Sequence, residues 1–217
     1  MKKLEELTIV DDFMFGAVMS NPKLCKQLLE LILNVKIKSI KYPELQKSIA
    51  NRYQSKSVRL DVYVEDNKNT VYNIEIQTTS NKNLPKRTRY YQGMIDLNII
   101  NKGEDYTKLK KSFVIFICTY DPFDEGRYIY TFKNRCEENS ELYLDDETAK
   151  IILNINGTVG NISDELKDVL HYMAGQIPKK AYSKKLNKAV EEVKSDEKWR
   201  RDYMTLFMRD KEQQRIG

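Results

Sequence analysis

A chain of 217 residues has room for one compact domain with a core of its own and too little for two, since most domains run roughly 100 to 200 residues. With 41% hydrophobic and 32% charged residues, a mean hydropathy of -0.63 and a formal charge of +5, it reads as a globular chain with a heavily charged surface and a mild basic bias rather than a polycationic one. The longest apolar run, Phe113 to Cys118, is far below the roughly 20 residues that span a bilayer, and Met1-Lys2-Lys3-Leu4 turns acidic at Glu5-Glu6 before any signal-peptide core can form, so a cytoplasmic protein without membrane contact is expected.

Asp11-Asp12 caps a first helix entered by Phe13-Met14-Phe15, and Asn21-Pro22 opens a second through Leu24, Leu28, Leu29, Leu31 and Ile32. Val35 to Tyr42 alternates loosely and reads as a first strand before the Tyr42-Pro43 break. Val58 to Glu65 alternates better, with Leu60, Val62 and Val64 opposed to Arg59, Asp61, Tyr63 and Glu65. Asp66-Asn67-Lys68-Asn69 is turn chemistry, after which Val71 to Gln77 alternates again, Tyr72, Ile74 and Ile76 opposed to Asn73, Glu75 and Gln77. The pair is a hairpin.

Pro85 starts the next helix, which carries Arg87, Tyr91, Ile95 and Ile99 at helical spacing and stops near Gly103. From Thr79 to Lys111 the residues Lys82, Lys86, Arg87, Arg89, Lys102, Lys108, Lys110 and Lys111 outnumber Asp96, Glu104 and Asp105, a local excess suited to a phosphate backbone or to a solvated helix face. Phe113 to Cys118 has the continuous apolar character of a strand buried on both faces. Tyr128 to Phe132 and Lys150 to Leu153 read as further strands, and from Asp164 onward the pattern is helical, divided at Pro178. The order predicts an α/β sandwich on a mixed sheet, with a body over 1–160 and a helical C-terminal segment over 161–217.

Cys25, Cys118 and Cys136 are odd in number and contain no C-x-x-C pair, which argues for buried thiols and against a disulfide framework or a zinc site. His171 is the one histidine and reads as a packing residue. Hydrolytic chemistry in this chain must therefore lean on carboxylates.

The hairpin supplies them. A three- or five-residue loop centred on Lys68 pairs residues whose numbers sum to 136, which sets Asp61 opposite Glu75. Carboxylates directly opposed across strands repel unless something positive neutralises them. A divalent hard cation is one such partner, for which Asp and Glu oxygens, a main-chain carbonyl and water are suitable ligands; Arg59 or a helix lysine is the plainer alternative. Gln77 lies on the same strand face, two residues beyond Glu75.

Asp12-Phe13-Met14-Phe15, Lys56-Ser57-Val58-Arg59-Leu60-Asp61-Val62-Tyr63, Tyr72-Asn73-Ile74-Glu75-Ile76-Gln77, Leu84-Pro85-Lys86-Arg87-Thr88-Arg89-Tyr90-Tyr91 and Gly103-Glu104-Asp105-Tyr106 stand in this order along the chain. With these R-x-D, E-x-Q and R-x-x-x-Y elements the sequence resembles the PD-(D/E)XK nuclease superfamily, and most closely its Rpn-type branch of recombination-promoting nucleases and transposases. The resemblance implies a restriction-endonuclease-like core of helix, three strands, helix and strand, with extra C-terminal strands and helices. It also implies Mg²⁺, replaceable by Mn²⁺, and DNA as the substrate.

By that resemblance Asp61 and Glu75 are the motif acids, and the metal site is Asp61, Glu75 and the Ile76 carbonyl. Gln77 stands where most of the superfamily has lysine, a replacement shared by this branch. Arg87 and Tyr91, with Lys86 and Arg89, are the expected nucleic-acid contacts. Asp12 resembles the N-terminal helix acid, while Gly16 and Ala17 stand where many relatives carry a lysine. The alternative is a catalytically silent nuclease fold that binds nucleic acid, or a protein-interaction module using the segment from Ser183 to Gly217. A homodimer is an open option.

Overall fold

The computed structural model describes residues 2–49, 58–80 and 83–216, and the side chains of these except Phe207 and 209–216. Lys56, Ser57 and Lys82, and the side chains of Phe207, Arg215 and Ile216, lie outside the described residues. In chain order the elements are α1 (Asp12–Met19), α2 (Pro22–Leu33), β1 (Glu44–Ile49), β2 (Val58–Glu65), β3 (Val71–Gln77), α3 (Leu84–Ile99), β4 (Ser112–Cys118), β5 (Ile129–Phe132), β6 (Thr148–Asn154), α4 (Asp164–Met173), α5 (Ala181–Ser195) and α6 (Glu197–Ile216). The six strands form one mixed sheet in the order β1-β2-β3-β4-β6-β5. β4 runs parallel to both its neighbours and is buried almost throughout, as its unbroken apolar run requires.

Each face of the sheet carries its own core. Val62, Val64, Ile74, Ile76, Ile115 and Ile117 meet the apolar stripes of α1, α2, α4 and α5 on one side. On the other, Val114, Phe116 and Ile152 meet Leu84, Tyr91, Met94 and Ile95 of α3. The C-terminal helices share the first core: Val190 and Val193 are buried in it, and Tyr182 donates its hydroxyl proton to the Leu24 carbonyl at 2.7 Å. Trp199 and Tyr203 of α6 pack on Phe13, so the first half of that helix docks on its own domain.

α2 begins as the sequence dictates. The Asn21 side chain accepts from the amides of Lys23 and Leu24, and Pro22 fills the first turn, where no amide partner is needed. Asp11 is the N-cap of α1 by position, but its carboxylate is engaged by Thr8 and Lys2 instead of by the helix. α3 ends at Ile99, short of the turn at Gly103.

Three expectations need correction. Val35 to Tyr42 is not a strand: Val35 is exposed, the Glu30 carboxylate caps the Ile37 amide, and only an isolated bridge joins Ile40 to Asp66. The edge strand instead follows Pro43, where Glu44–Ile49 pairs antiparallel with β2. Leu60 does not share a face with Val62 and Val64; it lies in the core beneath α3 with Tyr63. The cause is a break in the strand pair. β1 and β2 pair at Leu45↔Val62 and Lys47↔Leu60, but Gln46, at φ 50°, skips its pairing with Asp61, and the facing of both strands flips there. Finally, Cys25 and Cys118 are buried, whereas Cys136 is half-buried beside Glu138.

The β2–β3 hairpin has the register that places the acids. Val62↔Ile74, Tyr63↔Asn73, Val64↔Tyr72 and Glu65↔Val71 are paired around the loop 66–70. Asp66 fixes that loop, accepting from the amides of Lys68 at 2.8 Å and Thr70 at 2.9 Å and from the Tyr72 hydroxyl at 2.8 Å. Asp66→Ala removes three hydrogen bonds to a charged acceptor and should cost about 3 kcal/mol in urea unfolding. A loss below about 0.5 kcal/mol would show that the hairpin holds its register without the clamp.

Candidate active site

Asp61 and Glu75 stand at the point where β2 and β3 part. The ladder stops at Val62↔Ile74. Beyond it each carboxylate takes a backbone amide of the opposite strand: Glu75 Oε1 accepts from Asp61 N–H at 2.9 Å, and Asp61 Oδ2 accepts from Ile76 N–H at 3.2 Å. The two acids thus bridge the gap that the lost ladder leaves, and one oxygen of each is used in doing so. Since a strand residue's N–H and C=O point to the same side, the Ile76 carbonyl also faces β2.

This position is unfavourable for charge. Glu75 is 2% exposed. Burial and then the Asp61 charge push its carboxyl well above the usual range. Burial and then the charge of Asp12 raise the Asp61 carboxyl to about 7. Asp12, the first residue of α1, is itself raised by desolvation and by Asp11, though its side chain keeps contact with solvent. Three carboxylates therefore lean on one another across α1, β2 and β3 with too little positive charge between them.

The nearest counter-charge comes from α3. Arg87 Nη2 lies 3.9 Å from Glu75 Oε2 and donates to the Tyr91 hydroxyl at 2.9 Å, while Nη1 donates to Gln77 Oε1. The Gln77 amide is tied at its other end too, donating to the Thr79 carbonyl at 2.6 Å. Helical spacing of four residues brings Arg87 and Tyr91 to one face, with Phe116 of β4 beneath the guanidinium. Lys86 and Arg89, on the neighbouring faces of the same turn, are exposed to solvent.

The structure thus brings Asp61, Glu75, Ile76, Gln77, Arg87 and Tyr91 together, sets Asp12 at the rim, and leaves Lys86 and Arg89 outside. Gln46 was not legible from the sequence, because the edge strand was read as Val35 to Tyr42. It lies between the β1 partners of Val62 and Leu60 without pairing with Asp61, and its side chain accepts from Arg59, whose charge also favours ionised Asp61.

The donor set fits a hard divalent cation: two carboxylates whose charge Arg87 and Arg59 offset only in part, and a main-chain carbonyl facing the same gap. Among the described residues no group of three or more Asp, Glu, His or Cys side chains is placed to hold a metal, so water would complete the coordination.

A model of the PD-(D/E)XK nuclease family transposases matches residues 10–213. The chain belongs to that family. The match runs from α1 into α6 and takes in every strand, and the six-stranded mixed sheet with helices on both faces is compatible with the restriction-endonuclease-like fold of PD-(D/E)XK enzymes. No curated protein and no solved structure matches the chain. Membership implies a nucleic-acid substrate, and PD-(D/E)XK nucleases generally use divalent metal ions. No helix among the described residues is long and apolar enough to cross a membrane.

Proposed function

We propose that the protein is a metal-dependent DNA endonuclease hydrolysing phosphodiester bonds at Asp61 and Glu75, with Mg²⁺ as its ion and a role linked to recombination, mobile elements or defence. The observation that carries this reading is the cross-bridged carboxylate pair at the parting of β2 and β3, Glu75 buried and Asp61 half-buried, whose ionisation no protein group fully offsets. Asp61, Glu75 and the Ile76 carbonyl would hold the cation, which when bound would supply the missing positive charge and the Lewis acidity that phosphodiester hydrolysis needs.

The chain's own residues supply the rest. Asp61, Glu75 and the Ile76 carbonyl are the ligands. Gln77, bonded at both ends of its amide, positions Arg87. Arg87 then brings a cation to the site beside Gln77, and it faces the phosphate with Tyr91, while Lys86 and Arg89 meet the flanking backbone. Asp12 serves as an accessory acid at the rim.

Arg87→Ala should lower DNA cleavage by about 10- to 100-fold, and Arg87→Lys should restore little of it, because an ammonium cannot bond Gln77 and Tyr91 while facing the phosphate. Full activity of Arg87→Lys would mean that only charge matters at this position. The proposal as a whole is tested by nicking of supercoiled plasmid in Mg²⁺ or Mn²⁺ and its loss in EDTA. The second reading, a silent nuclease fold that binds nucleic acid, draws on Gln77 in place of a lysine and on the absence of a third acid ligand among the described residues. DNA binding that persists in EDTA, with no cleavage under any divalent ion, would favour it.

A further inference from the structure

A cavity of about 430 Å³ opens at the far end of the sheet, between the end of α2 and the starts of β3, β4 and β6. It lies on the other face of β3 from Glu75, because Tyr72 joins the core beneath α2 while Glu75 meets Arg87 of α3. Along β3, Tyr72 and Glu75 are three residues apart, roughly 10 Å at ~3.3 Å per residue, and on opposite faces. Lys36, Lys38, Lys68, Lys111 and Lys133 line the cavity, and all five are exposed. None makes an ion pair among the described residues, in contrast to Lys41 and Lys110, which both neutralise Glu65 nearby. The one acid in the lining, Asp66, is turned inward and spent on the loop amides and the Tyr72 hydroxyl.

The floor is apolar and aromatic. Phe113, half-buried, stacks on Tyr72 with ring centroids 5.5 Å apart and planes 8° from parallel. The Lys111 ammonium lies over the Phe113 ring, 5.8 Å from its centre. A second recess of about 420 Å³ shares Lys111, Phe113 and Lys133 with it and is lined on its far side by Asp145, Asp146 and Glu147, which bounds the cationic opening there.

We propose that this cavity binds a nucleobase bearing phosphates, either a free nucleoside triphosphate or the end of a nucleic-acid strand. Five exposed ammonium groups around one opening, none in an ion pair among the described residues, match a ligand with several negative charges, and compact ammonium charges suit phosphate oxygens. The volume lies within the range of small-molecule sites. Base-to-aromatic contact adds about 1 to 3 kcal/mol without sequence preference. On binding, Lys111 leaves the Phe113 ring for the phosphates, and the base takes its place. Occupancy does not rest on hydrolysis at Asp61 and Glu75, so it is measured in EDTA.

The test is titration of the full chain with a fluorescent ribose-labelled ATP, in EDTA and low salt. Binding should weaken at least 10-fold in Lys111→Glu/Lys133→Glu and in Lys36→Glu/Lys38→Glu, and should be unchanged in Lys184→Glu/Lys185→Glu, an exposed pair of equal charge on α5. Phe113→Leu should weaken the labelled nucleotide several-fold and leave inorganic triphosphate binding unaltered. Competition separates the sources: displacement by unlabelled ATP points to free nucleotides, and stronger displacement by a short single-stranded oligonucleotide points to strand ends. The proposal is overturned by three results: no binding at millimolar nucleotide, equal loss in the α5 control, or inorganic triphosphate binding as tightly as ATP. Circular dichroism on each variant ensures that a loss is not unfolding.

Discussion

Asp61→Ala and Glu75→Ala should each reduce Mg²⁺-dependent DNA cleavage on the order of 10³-fold, a loss of about 4 kcal/mol of transition-state stabilisation. Both side chains face one gap and are bridged through each other's backbone, Glu75 to the Asp61 amide and Asp61 to the amide after Glu75. Deleting either spoils the same site, so the double variant should be scarcely worse than either single one. A contaminating nuclease would ignore both substitutions. Undiminished cleavage by both folded variants would falsify the assignment of these acids.

Without metal, the protein should lose stability as pH rises from about 5 to 8. The sign follows from the direction of the shifts. Asp61 is raised from 3.8 to about 7, and Glu75 is raised well above 4.5. In that window the folded state binds more protons than the unfolded chain, so stability is fullest at low pH and falls as pH climbs through the folded-state value. For Asp61 the upper bound is about 4 kcal/mol, reduced in practice by its partial exposure and by its coupling to Glu75 and Asp12. Urea midpoints in EDTA at pH 5, 6, 7 and 8 measure the slope. Asp61→Asn should flatten much of it and make the apo protein more stable at pH 8. A parent profile that rises across this window would mean that Arg87 and Arg59 neutralise the acids fully, leaving no need for a cation.

The hairpin was legible in the sequence because its information is local. Alternation places Asn73, Glu75 and Gln77 on one face, and a polar loop centred on Lys68 fixes the register that the pairs Val62↔Ile74 to Glu65↔Val71 display. β4 was legible because Phe113 to Cys118 is too apolar for a strand with a wet face. The edge strand was not. Glu44–Ile49 carries Lys47 and Ser48 beside Leu45 and Ile49, and its facing flips at Gln46, so no period of two survives to be read. The same flip hid the place of Leu60. Asp61 and Glu75 could be brought together from spacing alone, but the burial of Glu75, the amides the two acids cross-bridge and the double tie on Gln77 arise from strands parting in three dimensions. No local pattern encodes these.

The most direct test of the account is a crystal soaked in Mn²⁺ and measured for anomalous scattering. The account predicts a peak in the gap between β2 and β3, within coordination distance of the Asp61 and Glu75 carboxylates and the Ile76 carbonyl, and its absence in Asp61→Ala. Ordered Asp61 and Glu75 side chains with no peak between them at saturating Mn²⁺ would contradict it.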